Sequence, residues 1–166
     1  MLKTMNKTES FESFESFETL FSKNTAKSSK ILEKIRNNNL SDIFEGLGYI
    51  KSNSLIMDYK YFKYFATAQT YDTIIQYIDH QINHILNSLD NTNDTFNIYI
   101  DMNSLSIIDI EKHRIFFIMA SKLFSEKYPD RLNKCFIYNA PYIFEKLFSM
   151  ISMFIDKETQ SKIRII

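Results

Sequence analysis

The stretch CFIYNAPYIFEKLFSMISMFI, residues 135–155, decides how the chain is read. Cys135 to Tyr138 is a short apolar run, the pattern of a buried strand. Pro141 then opens a helix at the position where proline is best tolerated, and the spacing predicts that helix over 141–155. Its polar residues, Glu145, Lys146, Ser149 and Ser152, form one narrow stripe on a helical wheel. An ordinary helix on a sheet buries one stripe and wets the rest. Here the apolar surface covers most of the circumference. Leaving four or five such side chains in water would forgo about 1.5–3 kcal/mol each. Something must cover the second face: another part of the fold, a partner protein, a bilayer surface or a bound lipid.

The flanking sequence alternates between two periods. Downstream, Asp156 to Ser161 reads as a turn or short cap, and Lys162 to Ile166 as a last strand. Upstream, Asp109 to Lys127 reads as a helix, with Ser106 and Asp109 spaced to cap its start. Tyr128-Pro129-Asp130 ends it, because proline cannot continue the hydrogen-bond ladder. Phe96 to Asp101 is a strand, and Thr70 to Leu89 is a helix whose stripe is Ile74, Ile75, Ile78, Ile82, Ile85, Leu86 and Leu89. Met57 to Tyr61 has strand character. Residues 55–166 thus alternate strand and helix, which predicts an α/β fold. Its sheet is largely parallel and mixed, joined by right-handed crossover helices.

The first 54 residues differ. Ser10-Phe11-Glu12 repeats at 13–15 and 16–18, a period of three that fits neither helix nor strand. Residues 1–30 are therefore expected to form a low-complexity, mostly disordered tail. Residues 31–54 form a short helical lead-in. Ile31, Leu32 and Ile35 recur at helical spacing, and a second short helix is expected over Ser41 to Leu47. Gly46 and Gly48 fit its C-terminal end.

Composition excludes several classes. Two glycines, at 46 and 48, cannot build a P-loop or a dinucleotide-binding turn. Net charge is zero, which argues against nucleic-acid binding. The bias is mild: residues 51–110 carry three basic and seven acidic side chains, residues 111–166 ten and six. Cys135 has no partner for an intramolecular disulfide and reads as a small core residue. His80 and His84, at i and i+4, could share a metal, but no third ligand is evident. Asp101 ends a strand and fits a turn cap. No nucleophile and base, or paired carboxylates, stand at catalytic spacing, so neither enzyme activity nor a cofactor is expected. No apolar run reaches the length of a membrane span, and the N-terminus lacks a signal-peptide core. The expectation is a cytoplasmic protein, peripheral on membranes at most.

Several of these pieces stand together in one order. Tyr128-Pro129-Asp130-Arg131-Leu132 precedes Phe136-Ile137-Tyr138-Asn139-Ala140-Pro141, then Phe144, Phe154-Ile155-Asp156, Thr159 and Lys162-Ile163. The run resembles the CRAL-TRIO lipid-binding domain, whose pattern is YPERL, a strand ending in NAP, an apolar helix and a closing T-x-x-K-I. The resemblance covers 96–166 strongly and extends over 55–95. It implies a hydrophobic pocket on a mixed sheet, closed by a mobile gate helix at 141–155. Phe116, Phe117, Ala120, Phe144, Leu147, Phe148, Ile151 and Phe154 would form pocket and gate, and Asn139 and Pro141 would set the gate's start. The implied function is binding, and intermembrane transfer, of a hydrophobic small molecule or phospholipid during transient contact with a membrane surface. Inositide-binding members carry Lys and Glu where this chain has Ser152 and Met119, so inositide binding by the usual site is not expected. The family domain continues beyond the point matching Ile166, and a pocket short of its C-terminal segment is the expectation. The alternative is a degenerate domain of this fold acting as a protein-protein interaction module of the small-GTPase regulator or scaffold type. Its apolar gate would then be a docking or homodimerisation face.

Overall fold

The computed structural model describes residues 16, 20, 21, 40–91 and 94–166. The helix expected around 31–35, and most of the tail, lie outside the described residues. Chain order is α1 (Leu40–Leu47), β1 (Gly48–Lys51), β2 (Ser54–Asp58), α2 (Tyr59–Phe65), α3 (Tyr71–Asn87), β3 (Phe96–Asp101), α4 (Ile107–Lys112) and α5 (Arg114–Lys122). A π-helical turn (Leu123–Lys127) then leads to β4 (Leu132–Tyr138), α6 (Phe144–Ile151), a 3-10 turn (Ser152–Phe154), α7 (Lys157–Ser161) and β5 (Ile163–Ile165).

The described residues contain one five-stranded sheet in the order β1-β2-β3-β4-β5. β1 pairs antiparallel with β2, and each later pair is parallel. The predicted α/β class with a largely parallel mixed sheet is the observed one. Because strand order follows chain order, crossovers of one hand all fall on one face. Accordingly, Leu55, Ile98, Cys135 and Ile137 pack with the helices in the large core, whereas Ile56, Phe136 and Tyr138 belong to a separate cluster on the other face. The register pairs Phe96 with Leu132 but Asn97 with Lys134, so Asn133 is an extra residue in β4. That bulge brings Leu132, Cys135 and Ile137 to one face despite their uneven spacing.

Leu20 and Phe21, from the expected tail, are buried in the second cluster. Leu20 N–H donates to the Ser16 carbonyl at 3.1 Å. The Tyr49 hydroxyl donates to the Leu20 carbonyl, and Phe21 meets Tyr138 edge to face at 5.7 Å. A sheet with its crossovers on one face leaves apolar residues on the other, and these two side chains cover part of it.

Four elements differ from the sequence reading. β1 was not expected. The strand predicted over Met57 to Tyr61 stops at Asp58, whose carboxylate accepts the Lys60 N–H at 2.9 Å and starts α2. Strand-forming Tyr and Phe favoured the wrong extension, and the cap overrides them. The helix predicted over 109–127 starts at Ile107 and is interrupted at His113, and its end is the π turn. Its Ser106–Asp109 capping box is present. The helix predicted over 141–155 narrows to α6: Asn139 takes a left-handed φ of 51°, the Pro141 carbonyl accepts the Phe144 N–H at 2.8 Å, and the far end tightens into the 3-10 turn. Neither glycine has positive φ. Gly46 instead lies against the buried Tyr61 ring, where an added Cβ would stand 2.0 Å from a ring carbon.

Candidate functional site

The large core is not filled. A cavity of about 140 Å³ lies between the helix face of the sheet and α2, α5, α6 and α7. β3, β4 and β5 supply its floor with Ile98, Ile100, Cys135, Ile137 and Ile163. Phe116, Phe117 and Ala120 project from one stripe of α5, and Phe144, Leu147 and Ile151 from one stripe of α6; all six line it. Phe148 and Phe154, expected beside them, do not. Phe148 is half-buried against the core, and the Phe154 ring lies 5.8 Å from the Lys122 ammonium. Asn139 donates from its side-chain amide to the Asp101 carboxylate at 3.1 Å. Asp101 also accepts the Asn103 N–H at 2.9 Å, so it ties down the turns after β3 and β4.

The outer side of this region carries apolar surface. Tyr142 before α6 is 90% exposed, Ile108 on α4 73% and Ile115 on α5 66%. Lys146 pairs with Glu111 at 3.1 Å, bringing α6 beside α4. That pair is exposed at both ends, so it holds α6 only weakly. The C-terminal end of α6 is held better: Gln160 donates to the carbonyls of Ser152 and Ile155, each at 2.9 Å.

The polar wall is small. Ser121 donates to the Phe117 carbonyl at 2.7 Å, and Thr159 to the Asp156 carboxylate at 2.7 Å. Asp58 is buried, and burial, with Asp101 nearby, pushes its carboxyl up to about 6 despite the Lys60 N–H. Tyr59 also lines the wall. Burial first, and Asp109 second, push its phenol above the ordinary range. Burial pushes the Cys135 thiol up to about 12, which suits an inert core residue. The lining residues include no Lys, Arg or His. His80 and His84 are exposed on α3, and no group of three or more potential metal ligands occurs among the described residues.

Asp58, Tyr59 and Phe62 were missed as wall residues because their segment was read as strand. The signal was present: an Asp cap followed by Tyr61, Phe62 and Phe65 at helical spacing. Ile155, the last position of the predicted helix, and Thr159, in the segment expected as a turn or short cap, also line the cavity and were not among the predicted pocket residues.

Three comparisons place this geometry. The model of the CRAL/TRIO domain family matches residues 48–166, from β1 to the last residue. The chain belongs to that family, whose members bind and transfer lipids. It is similar to the Sec14 cytosolic factor of Schizosaccharomyces pombe, 31% identical over 67 residues, which cover 40% of this chain and 23% of that protein. It is also similar to the solved crystal structure of Sfh5, with a TM-score of 0.62 and 18% identity over 82% of this chain and 56% of that one. The latter likeness bears on the fold alone. The chain spans about a quarter of the curated relative and just over half of the solved one.

Proposed function

We propose that the protein binds a hydrophobic ligand in the cavity beneath α6 and carries it between cytosolic faces of membranes, with no chemical step. The observation that supports this most is the void itself. Protein interiors are close-packed, yet apolar stripes of α5 and α6 face one another across an unfilled space on the sheet.

The cavity as it stands is too small for a whole lipid. A dry apolar cavity of about 150 Å³ takes a ligand the size of benzene, and full ligand pockets run to about 300–1,000 Å³. Uptake therefore requires α6 to move outward as a gate. That motion exposes Phe144, Leu147 and Ile151, at about 1.5–3 kcal/mol each in water. A bilayer surface removes most of this cost, so opening is coupled to membrane contact. The exposed Tyr142, Ile108 and Ile115 beside the gate are suited to make that contact. The Schizosaccharomyces pombe relative is named a cytosolic factor, which agrees with a cytosolic setting. Among the described residues, no helix is long and apolar enough to cross a membrane.

Native mass spectrometry of protein purified from eukaryotic cells, followed by organic extraction, tests the proposal. A stoichiometric lipid adduct is the expected result. A bare protein that also takes nothing from vesicles would overturn it. A bare homodimer, or a stable protein partner seated on the exposed α4–α6 surface, would favour the interaction module instead.

A further inference from the structure

The outer face of the sheet, away from the cavity, is closed more fully than two side chains can close it. Tyr49, Ile56, Tyr99 and Phe136 are Cα partners in one row across β1 to β4. Tyr138, two residues beyond Phe136, stands on the same face. The row spans three strand spacings, about 14 Å. Yet Ile56 is 0% and Phe136 8% exposed. Among the described residues, Leu20 and Phe21 alone join this cluster from outside the strands. The Leu20 N–H reaches back to the Ser16 carbonyl at 3.1 Å, the i to i−4 bond of an α-helix. The chain therefore lies on this face as a helical turn, and residue 17 falls inside the turn that this bond closes.

We propose that the Ser-Phe-Glu repeat of this same chain supplies the rest of the cover: residues 10–21 form an amphipathic helix docked on the outer face of the sheet. At about 100° per residue, extending the Leu20 turn backwards puts Phe14 and Phe17 within about 120° of Leu20 and Phe21. Glu12, Glu15 and Thr19 fall on the opposite side, towards water, and Glu18 on the border. A period of three drifts by about 60° per repeat on such a helix. Two repeats therefore share the apolar stripe with the anchor, and Phe11 leaves it. The occupant follows from where the anchor sits. Leu20 and Phe21 are almost wholly buried on this face, the Tyr49 hydroxyl holds the Leu20 carbonyl, and Phe21 meets Tyr138, so the repeat enters the face directly before them. The stripe is aromatic, as is the row it meets, and aromatic pairs gain from packing edge to face or offset.

The test is hydrogen exchange on the full chain, read by mass spectrometry beside light scattering. A helix of about a dozen residues is marginal alone in water, so protection in this segment reports docking. The amides of residues 14–21 should exchange at least ~10-fold more slowly than in a synthetic peptide of residues 8–22, in a chain that scatters as a monomer. Phe14→Ser with Phe17→Ser should return residues 14–17 to the peptide's rate and raise the binding of an apolar dye. Glu12→Ala with Glu15→Ala, on the water side, should leave both readings unchanged. Peptide-like exchange of 14–17 in the wild type would overturn the docked helix. Protection that survives the double serine variant would overturn the assigned stripe. Protection found only in a dimer, and lost on dilution to the monomer, would give the face to the repeat of a second copy and overturn docking within one chain. The carrier function rests on the opposite face of the sheet and stands or falls separately.

Discussion

The two faces of the sheet are built from the same strands but packed differently. On the outer face, Tyr99 stacks on Phe136 at 4.9 Å, Phe21 abuts Tyr138, and Leu20 is buried with them. On the helix face, alternate residues of the same strands form the floor of a cavity. Neighbouring residues such as Phe136 and Ile137 thus serve opposite ends, one a closed aromatic layer and the other the wall of a void.

The contrast breaks most directly at Phe136. Phe136→Ala should cost about 3–5 kcal/mol in urea unfolding, and the protein that remains folded should still bind ligand. If it keeps full stability, the outer face is not a closed layer. Next in size, Leu20→Ala should cost about 2–4 kcal/mol and leave the cavity intact. An unchanged midpoint would mean that the segment around residue 20 adds nothing to the sheet.

Asp58→Asn sharpens the helix side. Asn also caps helices, so α2 should persist. The raised carboxyl of Asp58 means that the folded state holds a proton more tightly than the unfolded one. Its contribution therefore favours the folded state at acid pH and fades as pH rises from about 4 through about 6. His113, whose pKa burial lowers, acts in the opposite sense as pH falls through its unfolded value. The substitution removes only the first effect. It should raise stability at pH 7 by about 3 kcal/mol relative to wild type, with the gain vanishing near pH 4. A constant difference across that range would contradict the burial of this carboxyl. Smallest in stability and largest in function, Ala120→Leu should fill part of the void. It should change stability by about 1 kcal/mol or less and abolish ligand uptake. Unimpaired uptake would place the ligand elsewhere.

Legibility in the sequence followed the same division. The helix face could be read because its stripes are long and periodic: the α3 isoleucines, the paired stripes of α5 and α6, and the capped start at Ser106. Six wall residues on α5 and α6 came from such stripes, together with the resemblance through Tyr128-Pro129 and Asn139-Ala140-Pro141. Asp58 and Tyr59 were missed because β-forming aromatics continue past the cap and outweighed the competing signal, an Asp cap followed by Tyr61, Phe62 and Phe65 at helical spacing. The cover at Leu20 and Phe21 was hidden because two residues have no period, and their burial depends on a sheet face assembled from residues that begin at Tyr49 and run to Tyr138. The break at His113 has no local signal either, since its cause is the packing of that ring between Tyr71 and Phe62.

The most direct measurement is photo-crosslinking with a lipid carrying a diazirine in its apolar part, followed by peptide mapping of the labelled full chain. Label on Phe117, Ala120, Leu147 and Ile151, absent in Ala120→Leu, is the expected result. Label confined to Tyr142, Ile108 and Ile115 would contradict a ligand held inside and leave only a surface that touches lipid.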